Sequence, residues 1–237
     1  PISIFQSLIY LFRWYWERDG RTWTGHVAEG GVPEGALKLA ERESDALPVV
    51  TTLVNKWSNN LIARHIFLTL GTLRNAPDEA DSGSRTAGGA FAPMERPRPG
   101  VDTDDARAVL AGWLAEKGVP DGAVMIDNGS GLSRTSRVTA RAMTQILAAG
   151  WLSPRMTEYA ASLPVSGVDG TMRKRLEATG RTHLKTGYLQ DVRSIGGYVY
   201  AKNGRRYALY ASVHGERNMA GGIRFLDKVV EWTYLQK

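Results

Sequence analysis

The last third of the chain limits the fold more than any other stretch. "THLKTGYL" (182–189) and "SIGGYVYA" (194–201) read as strands, Asn203-Gly204 follows, and "RRYALYASV" (205–213) returns as a third strand. Asn-Gly between two apolar-alternating runs is a strong hairpin signal, because both residues tolerate the backbone angles that a tight turn demands. The three segments predict an antiparallel meander. "GGIRFLDKVVEWTYL" then sets Ile223, Leu226, Val229, Val230 and Thr233 at helical spacing. Such a stripe has to be buried, so a closing helix is expected across one side of that sheet.

Upstream, "LPVVTTLVNKWSNNLIARHIFLTLG" is helical in pattern at both ends, with Val50, Leu53, Val54 and Trp57 before an interruption and Leu61, Ile62, His65 and Ile66 after it. The interruption is Ser58-Asn59-Asn60. Ser and Asn side chains compete for backbone hydrogen bonds, so the triplet predicts a helix junction or cap and not a helix interior. A helix near 104–117 ended by Gly118, an apolar "AVMI" strand, a "DNGSGLSR" turn and a helix near 139–149 ended by Gly150 complete the middle. Residues 72–102 carry Pro, Gly, Ser and charge with almost nothing to bury, and are expected to form a flexible surface loop.

The opening "ISIFQSLIYLFRWYW" tests the idea of a membrane span. Arg13 ends the uncharged run after 12 residues, where a span needs about 20. Phe5, Leu8, Ile9, Phe12 and Trp16 recur at helical spacing, so an amphipathic core helix closed by Gly20 is expected, and no transmembrane segment. A net charge of +6 could suit nucleic acid, an anionic membrane or an acidic polymer. The charge is spread along the chain without a like-charged run, and the basic and aromatic residues of "FRWYWERDGRTW" do not continue as a stripe, so no nucleic-acid partner is expected. With no cysteine there is no disulfide or thiolate site, and His26, His65, His183 and His214 lack metal-ligand spacing; neither metal nor cofactor is expected.

Two short motifs carry chemistry. Ser58-Asn59-Asn60 is a Ser-x-Asn at a helix junction, and Lys185-Thr186-Gly187 lies on a strand. Each alone is weak. Together, and in this order, they are two of the three signatures shared by class A β-lactamases and penicillin-binding proteins. With "DNGSGLSR", "LPVSGVDGTMRKRL" and "HLKTGYLQDVRSIGGYV" in register, the chain from about residue 20 onward resembles the class C low-molecular-mass penicillin-binding proteins, the D-alanyl-D-alanine carboxypeptidase/endopeptidases.

That resemblance implies an α/β (α+β) fold of the β-lactamase/transpeptidase-like kind, an antiparallel sheet flanked by helices, here incomplete at the N-terminus. It implies a periplasmic or cell-envelope serine peptidase acting on peptidoglycan muropeptides, both D-Ala-D-Ala termini and cross-links, with β-lactams as inhibitors of the full-length parent. Ser58 would relay a proton between the general base and the departing D-Ala nitrogen. Asn60 would hold the acyl side's peptide group, and Lys185 would face Ser58 and the substrate carboxylate. Thr186 would donate to the same carboxylate, Gly187 would admit the substrate against the strand, and the Tyr188 N–H would be an oxyanion donor. Small residues such as Ser are commoner in the family at the place of Tyr188, which leaves the width of that edge open.

The family's nucleophile and base lie in Ser-x-x-Lys, and no serine in the 237 residues has Lys at the third following position. Thr171-Met-Arg-Lys174 and Thr182-His-Leu-Lys185 come nearest and replace nothing. In the family that tetrad lies N-terminal to Ser-x-Asn, so residues 1–237 are expected to be the C-terminal part of a transpeptidase-like domain, inactive alone. The alternative is a non-catalytic peptidoglycan-binding envelope protein with a lapsed site. Ser130, in "GSG", is a minor site candidate beside the cleft, and Asp169-Gly170 is expected to shape a turn.

Overall fold

The structure, a computed structural model, describes residues 4–28, 30–31, 33–74, 102–175, 180–215 and 219–237. The chain divides into two compact units, Pro1–Ser44 and Asp45–Lys237.

The first unit holds one helix, α1 (Ile4–Arg18), followed by extended chain. The helix is present as expected, but it is not a core helix. Leu8 and Phe12 are 60% and 56% exposed, because among its described residues this short unit has no second helix or strand to cover the stripe. Its aromatics pair among themselves and with arginines instead: Phe12 stacks on Trp16, and the Arg18 guanidinium lies over Trp14 and Tyr15. No helix among the described residues is long and apolar enough to cross a membrane.

The second unit is built on the expected meander. Strands β3 (Thr182–Leu189), β4 (Val192–Tyr200) and β5 (Arg206–His214) pair antiparallel in the order β3-β4-β5. Two short strands, β1 (Val124–Met125) and β2 (Arg137–Val138), precede them and pair with each other; "AVMI" is a strand as expected, and its partner carries too few residues to show a period. The β4–β5 connection closes with Gly204 N–H donating to Ala201 O and Ala201 N–H donating to Arg205 O. Only Gly204 takes a left-handed angle there, φ +81, so Asn-Gly builds a three-residue bulged loop and not a two-residue turn.

Alternation along β4 sends Ile195 and Val199 to one face and Tyr198 to the other. The first face is closed by α7 (Met219–Tyr234), where Leu226 and Val230 bury against Leu184, Ile195, Val199 and Met172. Each such buried aliphatic stabilises by roughly 1.5–3 kcal/mol. The second face is covered by α5 (Ala140–Trp151) and α6 (Met156–Ser162), whose Leu147, Ala160 and the following Leu163 enclose Tyr198. A third cluster joins α4 (Thr103–Glu116) to α5 through Leu114, Val119 and Ala142.

Gly150 does not end α5 as expected; the helix runs on to Trp151. A Cβ at Gly150 would sit 2.9 Å from Tyr159 Cε1 and 3.1 Å from the Tyr198 hydroxyl, so the glycine serves close packing, which a sequence cannot tell from a stop. Residues 72–74 form a turn, and the rest of the 72–102 loop, from 75 to 101, lies outside the described residues.

Candidate active site

Helices α2 (Leu47–Trp57) and α3 (Asn60–Gly71) meet at the triplet that sequence marks as a junction. Ser58 takes φ 57, ψ 44, the one left-handed angle held by a non-glycine among the described residues. Its N–H and that of Asn59 both turn back to Val54 O, ending α2. Asn59 Oδ1 then accepts from Ile62 N at 3.0 Å and caps α3. A non-glycine in this region is strained by about 1–3 kcal/mol, and such strain collects at functional sites. The result is a serine hydroxyl lifted off the end of one helix, with Asn60 at the first turn of the next.

The opposite wall is the outer edge of β3. Leu184 N donates to Pro164 O at 2.8 Å, and Thr182 O accepts from Ser166 N at 3.2 Å, both on the side away from β4. Backbone groups in an antiparallel pair alternate sides residue by residue, so the Thr186 carbonyl and Tyr188 N–H also face outward. Among the described residues no strand pairs with β3 on that side at these positions. Lys185 confirms the direction, since its Nζ donates to Thr186 O at 2.7 Å.

The two walls meet. Lys185 Nζ donates to Ser58 Oγ across 127 positions of sequence. A hydroxyl that accepts from an ammonium keeps its own proton to donate, so the Ser58 hydroxyl can accept from Lys185 and donate onward. Burial pushes the Lys185 ammonium below the ordinary lysine range, because a desolvated cation is less stable, and it is thereby a readier proton donor. Asn60 Nδ2 donates to Ser130 O at 2.7 Å, which ties the "GSG" turn to the junction. Ser58, Asn60, Ser130, Lys185, Thr186 and Gly187 all line one cleft of about 640 Å³. Tyr159 lines its apolar back, where burial pushes the phenol above its ordinary range.

Gly187 packs closely against its partner on β4. Ser194 lies directly opposite on β4, and any Cβ at Gly187 would collide with Ser194 Oγ. Tyr188 also lines the cleft, and the Arg193 guanidinium lies over its ring, 3.4 Å from the ring centre, on the α7 side of the sheet.

Sequence reasoning missed one group of residues. Lys56 Nζ donates to Asp169 Oδ2 at 2.8 Å, to Oδ1 at 3.0 Å and to Leu163 O at 2.6 Å, and Asp169 Oδ1 also accepts from Val165 N at 2.8 Å. Asp169-Gly170 does shape a turn, with Gly170 at φ +53, but the turn is bolted to α2. It carries Thr171 into the cleft, 2.9 Å from Thr186 Oγ1. The signal available was the Asp-Gly-Thr triplet within "VSGVDGTM", which looks like an ordinary surface turn. Among the described residues, no three His, Cys, Asp or Glu side chains cluster in a way that could hold a metal ion.

The sequence model of the D-Ala-D-Ala carboxypeptidase 3 (S13) family matches residues 6–91 and 92–232. A D-alanyl-D-alanine carboxypeptidase from Actinomadura sp. (strain R39) is 31% identical over 206 residues, taking in 82% of this chain and 34% of that protein. Penicillin-binding protein 4 from Haemophilus influenzae, complexed with a novel β-lactam, superposes with a TM-score of 0.73 at 19% identity, over 98% of this chain and 51% of that one. A predatory endopeptidase from Bdellovibrio bacteriovorus, in complex with an immunity protein, gives 0.55 at 18% identity, over 78% and 43%. The expected antiparallel sheet flanked by helices is thus a fold shared with these enzymes. The chain spans 34% of the length of the Actinomadura relative.

Proposed function

Because the chain belongs to the D-Ala-D-Ala carboxypeptidase 3 (S13) family, we propose that it forms two walls of a serine-type D-Ala-D-Ala carboxypeptidase/endopeptidase cleft, acting on peptidoglycan through an acyl-enzyme in the periplasm or cell envelope. In this reading residues 1–237 are the C-terminal part of a transpeptidase-like domain, and Ser-x-x-Lys comes from sequence beyond them. One observation carries the reading: the contact between Lys185 Nζ and Ser58 Oγ, at a cleft bounded by an open strand edge.

Acyl transfer from a D-Ala-D-Ala peptide needs a nucleophile, a proton path to the leaving nitrogen, an oxyanion site and a grip on the free carboxylate. Ser58, oriented by Lys185, supplies the proton path. The outward Tyr188 N–H is one oxyanion donor. The free edge at Thr186–Tyr188 accepts an extended peptide as an added strand, in which Asn60 Oδ1 takes a peptide N–H. Lys185 and Thr186 provide positive potential and a hydroxyl for the carboxylate. β-Lactams would enter as mimics of the same peptide.

The test is acylation of the full-length protein by a fluorescent penicillin. The wild type forms the adduct, and Lys185→Ala slows its formation by about 100-fold or more, the scale of a lost proton-transfer or electrostatic group. Unchanged acylation in Lys185→Ala removes Lys185 from the site. The second reading is a binder of peptidoglycan without catalysis; a full-length protein that pulls down with peptidoglycan yet forms no adduct decides for it.

A further inference from the structure

The cleft holds a hydroxyl that Ser-x-Asn and Lys-Thr-Gly do not account for. Thr171 is exposed, and Thr186 Oγ1 donates to its Oγ1 at 2.9 Å. Both neighbours of Thr171 in the chain are fixed. On one side Asp169 is held by Lys56 Nζ, and Gly170 lies so close to the Lys56 carbonyl that a Cβ would sit 2.6 Å from the oxygen. On the other side Met172 is fully buried in the cluster with Leu184 and Ile195. The turn is thus locked at both ends and presents a short polar side chain between them. Lys56 precedes Ser58 by two residues, so the same end of α2 positions Ser58 and Thr171 together.

We infer that Thr171 and Thr186 form a two-hydroxyl clamp for the terminal carboxylate of the peptide substrate, a statement that rests on the carboxypeptidase reading above. Each hydroxyl has one proton to give, and in the free protein one is spent on the other. A carboxylate only accepts. Lying across the pair, it draws both protons, one to each oxygen, and hydrogen bonds to a charged acceptor are about twice as strong as the neutral one they replace. The Lys185 ammonium, bonded to the Thr186 carbonyl, adds positive potential beside the clamp. Tyr188 is the next residue on the same face of β3 as Thr186, but its ring is held under Arg193. The second hydroxyl therefore comes from the 169–172 turn and not from the strand.

The experiment compares two peptides in the full-length protein, one ending in D-Ala-D-Ala as the free acid and the same peptide as its C-terminal amide. Thr171→Val keeps the shape and removes the hydroxyl. Loss of one hydrogen bond to a charged group predicts a fall in kcat/KM on the acid of about 10-fold or more. On the amide, which lacks the charge, the fall stays below about two-fold, and Thr171→Ser retains turnover of the acid. An equal loss on both peptides, or no loss on either, overturns the clamp while leaving the carboxypeptidase reading intact. A wild type that turns over neither peptide overturns that reading and the clamp with it.

Discussion

Replacing Asp169 with alanine isolates the ion pair that joins the two halves of the site. The Lys56 side chain is 12% exposed and Asp169 is 40% exposed, so the pair lies between the buried and the surface case. Breaking a fully buried pair from one side destabilises by about 3–5 kcal/mol, and exposed pairs matter by about 0–1. In Asp169→Ala the Lys56 ammonium keeps only Leu163 O, and Val165 N–H loses its acceptor. The expected destabilisation is about 2–3 kcal/mol, read as a lowered urea midpoint by far-UV circular dichroism with an unchanged slope. Lys56→Met removes the charge along with the partner and leaves Asp169 in reach of water, so about 1 kcal/mol is expected. The double variant should then be more stable than Asp169→Ala alone, because the uncompensated ammonium is gone. A cost below about 0.5 kcal/mol for Asp169→Ala, within the range of ordinary surface changes, or strictly additive effects in the double variant, would refute the claim that this pair holds the Thr171 turn to α2.

Gly187→Ala should destabilise by about 1–3 kcal/mol through overpacking against Ser194 Oγ, and Ser194→Gly in the same protein should recover most of it in the same urea assay; an unrelieved double variant would place the strain elsewhere. Tyr198→Phe removes a buried hydroxyl that donates to Leu147 O at 2.7 Å and should lower stability by about 1 kcal/mol. The same change carries a pH signature. Burial pushes the Tyr198 phenol above its ordinary value, so its contribution is complete below the unfolded pKa of about 10 and is lost as pH rises above it. Lys185 runs the other way, since a folded pKa below the unfolded one imposes a penalty at neutral pH that fades as the ammonium deprotonates. Alkaline unfolding should accordingly begin later in Tyr198→Phe and earlier, relative to neutral stability, in Lys185→Met; superimposable pH profiles would discount both burials.

The residues of the meander and its closing helix could be read directly because local rules and global fold agree there. Asn203-Gly204 bends the chain, and Leu226 and Val230 bury where their spacing put them. The Ser58-Asn59-Asn60 junction was legible because Asn59 does what its local chemistry favours and caps α3, while the strained left-handed angle of Ser58 is held by the surrounding packing and could not be read from spacing. Gly150 was misread because a helix stop and a close packing contact ask for the same residue. The apolar stripe of α1 was misread as core because periodicity reports a preference for burial and cannot supply the surface that would satisfy it.

Ser-x-Asn and Lys-Thr-Gly, their order, and the junction and strand that bear them are local properties, set by spacing and backbone preference over a few residues, and the sequence alone determined them. That Ser58 and Lys185 touch, that Thr171 stands beside Thr186, and that Lys56 ties one to the other are contacts between segments separated by 15 to 127 positions. No local preference encodes such distances. Only the packing of α2 against the 169–172 turn and the free edge of β3 decides them, because burial fixes which segments meet.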